Sequence, residues 1–428
     1  IPRAIFKEHC AIFAPTGGGK TVTLQALILD FLKSDDCPAM FIMDSMGSLL
    51  KTIERLALFN TTLKDKLVIL DPTDSSPPAL NFFKINAPPA KQMELFFYLF
   101  KAIEQGLTTR QATMISYLVE LMMAIPSATL DTLREVCESK SLAYTNELAT
   151  LSPIAQDFFR NQFFGRDQLV QQTKHQIASR LYTIQRNTVF SRMFSAPTNS
   201  FDAFQCMQEK KIVLINTDRL FLGDEASATF GRFIIAQCLA GAIQRAPIPE
   251  RDRDLVLIIV DEAKQYLDDQ AEKILSDARQ FGLGLILATQ SPHQLPEGVQ
   301  REIANNTSIK MLGAVSYSIA SQFARDMRTS PEFIQSMQAH PPSHVEFATF
   351  VRNLTDRAFK LTVPIGLLER EPKMDTRTWA ALRRANRERL GATERRITEA
   401  RKPNTDSPRD ASSNSDEPRT PTELDSDH

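Results

Sequence analysis

Residues 14–21 read Ala14-Pro15-Thr16-Gly17-Gly18-Gly19-Lys20-Thr21, and they hold three of the chain's fifteen glycines in a row. An apolar run, Cys10–Ala14, precedes them, and Thr21–Leu32 follows with apolar residues at helical spacing. A backbone without side chains can curl its N–H groups around an anion. A helix that starts directly afterwards points its dipole at the same anion. This is the phosphate-binding pattern of a strand, a glycine loop, Lys and Thr, with alanine in place of the first glycine. That alanine matters only if the position needs a positive φ. Lys20 supplies a point charge toward β and γ phosphates, and the Thr21 hydroxyl is placed to ligate Mg²⁺. The predicted nucleotide-binding segment runs Ala14, Pro15, Thr16, Gly17, Gly18, Gly19, Lys20, Thr21 and Val22.

A phosphate site of this kind needs an acidic partner at the end of a buried strand. Leu255-Val256-Leu257-Ile258-Ile259-Val260 is apolar at every position and runs into Asp261-Glu262. Asp261 is the expected Mg²⁺ holder, and Glu262 the residue that orients or deprotonates the attacking water. A further run, Gly284–Thr289, ends in Gln290, whose amide is expected to touch both the γ-phosphate and that water. The remaining strand-like runs are Ala39–Asp44, Leu67–Asp71, Lys211–Asn216 and Ser308–Gly313. Continuous apolar runs separated by helical patterns predict an α/β fold with a mostly parallel central sheet covered on both faces.

Residues 90–195 break the rhythm. Met93, Leu95, Phe96, Leu99, Phe100 and Ile103 mark one helix face, and Met114, Ile115, Leu118, Leu121 and Met122 another. This reads as an inserted all-α domain whose Met and Phe stripes are core. Val345–Val351 and Ala358–Val363 flank Asn353-Leu354-Thr355-Asp356, the pattern of an edge β-hairpin. A basic helix is expected over about 376–401, within a segment, 369–402, carrying eleven Lys/Arg against six Asp/Glu. It reads first as a solvated helix. Docking of Arg383, Arg384, Arg387 and Arg389 on phosphates, or on the chain's own acidic tail, are the alternatives. Residues 403–428 hold two Arg against seven Asp/Glu and two apolar side chains, so the tail is expected to be disordered. The predicted organisation is 1–89 (first part of the nucleotide-binding core), 90–195 (helical insertion), 196–367 (second part, with the hairpin), 368–402 (basic helix) and 403–428 (tail).

The 428 residues are 43% hydrophobic and carry 50 Lys/Arg against 51 Asp/Glu. That excludes a disordered or fibrous chain, and it leaves any nucleic-acid contact to local patches. Cysteines 10, 37, 137, 206 and 238 stand at neither zinc nor redox spacing, so reduced thiols of a cytoplasmic compartment are expected. His175, His293, His340 and His344 show no ligand spacing. No uncharged apolar run reaches the roughly 18 residues of a membrane span. The chain opens at Ile1 without methionine. We read it as a fragment whose natural N-terminus, with any membrane anchor, lies upstream.

In this order the motifs resemble those of the HerA/FtsK superfamily of ring-forming P-loop motors, and most closely the type IV secretion coupling proteins of the TraG/TraD kind. The resemblance spans most of 1–365. It rests on His9 before the first strand, on Asp44-Ser45-Met46-Gly47-Ser48-Leu49, on Leu70-Asp71-Pro72 and Leu80-Asn81-Phe82, and on Lys211–Asn216. Asp261-Glu262, Ala278-Arg279-Gln280-Phe281-Gly282-Leu283-Gly284 and Thr289-Gln290 complete it. The N-terminal membrane helices of the coupling proteins are absent. The resemblance implies a RecA-like fold, ATP and Mg²⁺ at the interfaces of a homo-hexamer or similar ring, and DNA moved through its centre. Relaxosome and secretion-channel proteins are the implied partners. Such a ring needs an arginine in trans. Arg279 occupies the matching segment, with Arg180 and Arg325 as weaker candidates. The loops Asp218–Ser227 and His293–Arg301 are the candidate DNA contacts. A secretion-associated ATPase that moves protein or drives pilus assembly, and a nucleotide-dependent cargo-docking module, are the competing readings.

Overall fold

The computed structural model describes residues 1–103, 108–141, 144–267 and 280–392. The strands are β1 (Cys10–Phe13), β2 (Ala39–Asp44), β3 (Leu67–Leu70), β4 (Ile212–Asn216), β5 (Val256–Val260), β6 (Leu283–Thr289), β7 (Ile309–Leu312), β8 (Ala339–His340), β9 (His344–Val351) and β10 (Phe359–Pro364). They form one sheet in the order β10-β9-β7-β1-β6-β5-β2-β4-β3, with β8 paired to β9. The segment from β7 to β3 is parallel throughout, and β9 and β10 add an antiparallel edge. The hairpin expected at the edge is there. Its first strand is also hydrogen-bonded to β7, so β9 is interior and β10 alone is the edge.

The all-apolar β5 shows why the sheet is covered on both faces. Val256, Ile258 and Val260 enter one buried cluster, and Leu257 and Ile259 enter the other. Alternate side chains of a strand point to opposite faces, so an unbroken apolar run needs a helical layer on each side. The first layer includes the helix Asp224–Ile243. Among the described residues it is the one helix long and apolar enough to cross a membrane, but 83% of its apolar window is buried within the fold. The second layer holds the helix Lys20–Leu32.

Residues 89–193 are helical, with no strand among those described. They share a core with the sheet: one cluster runs from Val256 and Phe41 through Phe82 and Phe233 into Leu118, Phe159 and Leu181. Asn81 stitches the two parts together. It is fully buried, and its Nδ2 donates to the carbonyls of Ala128 and Ala196, each at 2.8 Å. Its Oδ1 accepts from Phe83 N at 2.8 Å. A buried amide must be saturated in this way, so the Leu80-Asn81-Phe82 motif is structural.

The C-terminal helix, Thr376–Leu390, read first as solvated, exposes Arg384 and Arg389 but docks Arg383 and Asn386 at the edge of the sheet. Asn386 covers the edge of β3, accepting from Ile69 N at 3.0 Å and donating to Ile69 O at 2.8 Å. This extends the ladder by one side chain and closes an edge open to stray pairing. Arg383 reaches Asp71 at 2.8 Å, Asp74 at 3.0 Å and Glu54 at 3.3 Å, and Arg387 lies 2.7 Å from Asp74. These guanidiniums are committed to core carboxylates. Residues 393–428, with the expected tail, lie outside the described residues.

Burial raises both Glu54 and Asp71. At Glu54 it outweighs Arg383, whereas at Asp71 the hydroxyl of Thr73, Arg383 and Asn216 together reverse it and lower the carboxyl. Arg383→Met leaves these buried carboxylates without their cation, an imbalance that costs about 3–5 kcal/mol in such settings. The expected loss of stability is fully developed above the ordinary aspartate range. It narrows as the pH falls through the Asp71 and Glu54 titrations, because protonation removes the unpaired charge. Urea unfolding of both proteins from pH 7 to pH 3 measures the gap.

Candidate functional site

The glycine loop joins β1 to the helix Lys20–Leu32. Gly17 and Gly19 have φ of +76° and +93°. Gly18 lies against Pro15, where an added Cβ would come within 2.9 Å of the proline ring. These positions explain the three glycines. Ala14 is fully buried and is not among the residues with positive φ, so alanine serves in place of the first glycine. The helix start has no side-chain cap and no acidic residue in its first turn. Its free N–H groups and dipole are therefore open to an anion. Lys20 is buried and donates from Nζ to the Ala14 carbonyl at 2.9 Å, with a Glu262 carboxylate oxygen 3.7 Å away.

One strand, β6, separates β1 and its loop from β5 and the acids, and the register brings the three strand ends level. Phe13 pairs with Thr289, and Val260 with Leu287. The tips of β1, β6 and β5 therefore end on one rim. Thr21 Oγ1 donates to Asp261 Oδ2 at 3.2 Å, and Gln290 Nε2 donates to Glu262 Oε1 at 3.3 Å. Glu262 has φ of +55°, a left-handed conformation unusual for a residue with a Cβ. Its Oε2 is buried with no hydrogen-bond donor among the described residues. The Lys264 ammonium stands 3.9 Å from it in a loose ion pair, so Oε2 keeps a lone pair that can take a proton from a water molecule.

The Asp261 carboxyl is pushed up to about 6, first by burial and then by Asp44 and Glu262, against Thr21 and Lys20. Asp44 is raised by burial too. The backbone N–H groups of Met46, Leu49, Gly47 and Leu50 oppose that rise, so the turn at 44–49 is held by Asp44 as an internal cap. A hydroxyl and a carboxylate side by side, above surplus negative charge, suit a hard divalent cation with oxygen ligands. Thr21 and Asp261 are the residues that would hold it. Beneath them Tyr266 is fully buried, and its Oη lies 2.6 Å from Thr217 Oγ1.

Next to these groups is a cavity of about 550 Å³, whose lining does not include Ala14, Gly18 or Asp261. Pro15, Thr16, Gly17, Gly19, Lys20, Thr21, Val22, Glu262 and Gln290 all face it. The sequence reading missed further wall residues: Arg219 and Lys264 add positive charge, and Pro341, Val345 and Ile365 add an apolar side opposite Val22. Arg219 lay within a loop assigned to DNA, so its proximity to the phosphate end had no signal in the chain. Arg180 and Arg325 are exposed and do not line the cavity. Arg279 lies outside the described residues. Asp218–Ser227 holds Asp218, the cap of a short turn, together with the exposed Leu220 and Phe221. His293–Arg301 follows β6 as a short turn and a helix. His340 and His344, read from the sequence as showing no ligand spacing, face each other across a turn with their rings 4.8 Å apart. All five cysteines are free.

Compared with curated proteins by sequence, the chain gives no match. Among solved structures it resembles the plasmid coupling protein TrwB, a bacterial conjugative coupling protein. The TrwB structure with the ATP analogue ADPNP has a TM-score of 0.61 at 15% identity, covering 87% of this chain and 89% of that one. TrwB with ADP and Mg²⁺ has a TM-score of 0.60 at 16% identity, covering 85% and 87%. VirB4 of Thermoanaerobacter pseudethanolicus has a TM-score of 0.56 at 15% identity, covering 83% and 88%. The fold is thus that of these proteins, a RecA-like α/β core. The family model described as Helicase HerA, central domain, matches residues 2–236, more than half of the sequence, and the chain belongs to that family.

Proposed function

We propose that this chain is an ATP-hydrolysing DNA translocase of the conjugative-transfer kind, working as a hexameric ring. The observation that carries the nucleotide reading is the shared rim of β1, β6 and β5, where Lys20, Thr21, Asp261, Glu262 and Gln290 meet within hydrogen-bond or ion-pair reach. TrwB, which shares the fold, is described in complexes with ADP and Mg²⁺ and with non-hydrolysable analogues of ATP and GTP. The conjugative assignment rests on that likeness and on family membership.

In this reading the loop N–H groups and Lys20 bind the β and γ phosphates. Thr21 and Asp261 hold Mg²⁺, which when bound offsets charge on the phosphate oxygens. Glu262 takes the proton of the attacking water on Oε2, and Gln290 orients that water while fixing Oε1. Lys20 now rests on Ala14 O and near Glu262, so nucleotide binding would draw it away from both. Val22, Pro341, Val345 and Ile365 offer an apolar seat for the base. A neighbouring subunit supplies the arginine that steadies the transferring group, and Arg279 is the residue we assign to it.

Lys20→Ala is expected to lower ATP turnover by roughly two to three orders of magnitude, as loss of a charge-stabilising donor does elsewhere, together with loss of nucleotide binding measured by fluorescent-analogue titration. Glu262→Gln is expected to retain binding and to lose about 10²–10⁴-fold in turnover. Wild-type hydrolysis by that variant removes Glu262 from its role. The translocase reading is tested by ATPase measured with and without DNA across protein concentration. Stimulation is expected at low salt and falls steeply between about 50 and 200 mM, because phosphate contacts release counterions. If DNA leaves turnover of the assembled protein unchanged at low salt, a secretion ATPase that moves protein replaces the translocase.

A further inference from the structure

The turn between β8 and β9 holds three side chains that the chemistry above does not use. Pro341-Pro342-Ser343 joins the strands, and the antiparallel register sets His340 directly opposite His344. Glu346 comes two residues further along β9 and so returns to the face of His344. Both imidazoles address its carboxylate: His340 Nε2 lies 3.8 Å from Glu346 Oε2, and His344 Nε2 lies 3.9 Å from Oε1. One donor atom from each of the three residues falls within 4.8 Å of the others. Ser343 Oγ lies 3.0 Å from His344 Nδ1. In the tautomer whose Nδ1–H donates to Ser343 Oγ, the Nε2 lone pair faces Glu346, the outer-sphere arrangement that metal-binding histidines use.

We propose that His340, His344 and Glu346 form a binding site for a divalent transition cation of the zinc type, separate from the Thr21–Asp261 pair and independent of the nucleotide reading. Two imidazole nitrogens and one carboxylate oxygen match the preference of zinc rather than of magnesium or calcium. Zinc–nitrogen and zinc–oxygen bonds of about 2.0–2.2 Å require donor atoms somewhat over 3 Å apart. The three groups therefore need to close by up to roughly 1.4 Å, which rotation of side chains on a partly exposed turn permits. Water completes the shell.

Two further groups already address the carboxylate: Gln338 N donates to Glu346 Oε2 at 3.4 Å, and Lys360 of β10 lies 3.0 Å from Oε1 as its resident cation. Its side chain is 51% exposed, so a metal ion can displace it into water at little cost. The turn also borders the glycine loop: Val345 stands between the two ligand positions, and a Cβ at Gly19 would come within 2.7 Å of it. A bound ion would cross-link β8 to β9 and stiffen that wall of the cavity.

The test uses the tag-free 428-residue chain, with Zn²⁺ titrated against a chromophoric chelator and retained metal counted by elemental analysis. The expected result is one zinc per chain with a dissociation constant of about 1 μM or tighter. His340→Ala and His344→Ala should each weaken it by at least roughly 10-fold, while His175→Ala leaves it unchanged. Lys360→Met, which removes the competing ammonium, should tighten it. Because the three residues sit on a surface turn, metal-free unfolding midpoints should match the wild type. Zinc should raise the midpoint of the wild type and not that of either histidine variant. The proposal is overturned if the wild type retains no zinc at tens of micromolar, or if both histidine variants bind as the wild type does. A Glu346→Gln protein that binds zinc as tightly as the wild type removes Glu346 from the ligand set and overturns the three-residue site.

Discussion

β1, β6 and β5 are three adjacent parallel strands, and their common register carries everything at the site. Parallel strands rise equally per residue, so pairing Phe13 with Thr289 and Val260 with Leu287 sets the residues that follow each strand at one height. The glycine loop, Gln290 and the acid pair then share one rim. A slip of a single residue in β6 would send its side chains to the opposite face and carry Gln290 away from Glu262. Both faces of these strands are apolar, so hydrophobic pattern alone gives little register information. Gly284 supplies some: the backbone of Phe6 and the side chain of Leu257 fill the space a Cβ would take there, so β6 seats closely at that point.

The rim carries unbalanced charge. Asp44, Asp261 and Glu262 outnumber the nearby Lys20 and Lys264, and the Asp261 carboxyl is raised first by burial and then by its two acidic neighbours. Buried carboxylates gathered in this way destabilise a fold unless a cation joins them. Glu262 adds a left-handed backbone held by its surroundings. Charge surplus and backbone strain fall on the same residues, the pattern of a site arranged for a ligand rather than for stability.

Around this rim the rest of the chain acts as support. Asn81 ties the helical segment to the core, and Arg383 with Asn386 ties the C-terminal helix to the end and edge of β3. Asp71, which accepts from Arg383, also accepts from Asn216 at the end of β4 at 2.9 Å. The C-terminal helix is thus connected to the ends of β3 and β4. The opposite edge, β10, is left open and is marked by Lys360 and Pro364, residues that discourage pairing with another strand.

Several features were legible in the residues themselves because they are local. Three glycines before Lys-Thr, an unbroken apolar run into Asp-Glu, and the period change at residue 90 each reflect backbone or burial requirements met within a few positions. Those signals determined the fold class, the phosphate loop and the acid pair. The tertiary structure decided what depends on long-range neighbours. Arg383 and Arg387 read as a solvated basic face, yet they meet carboxylates some 310 positions earlier in the chain. Arg219, Pro341 and Ile365 become walls of one cavity, and His340 and His344, apparently unrelated, face each other across a turn. Charge and spacing along a chain specify what a side chain can bind. Which partner it meets depends on strand order and register, and those follow from packing over the whole sheet.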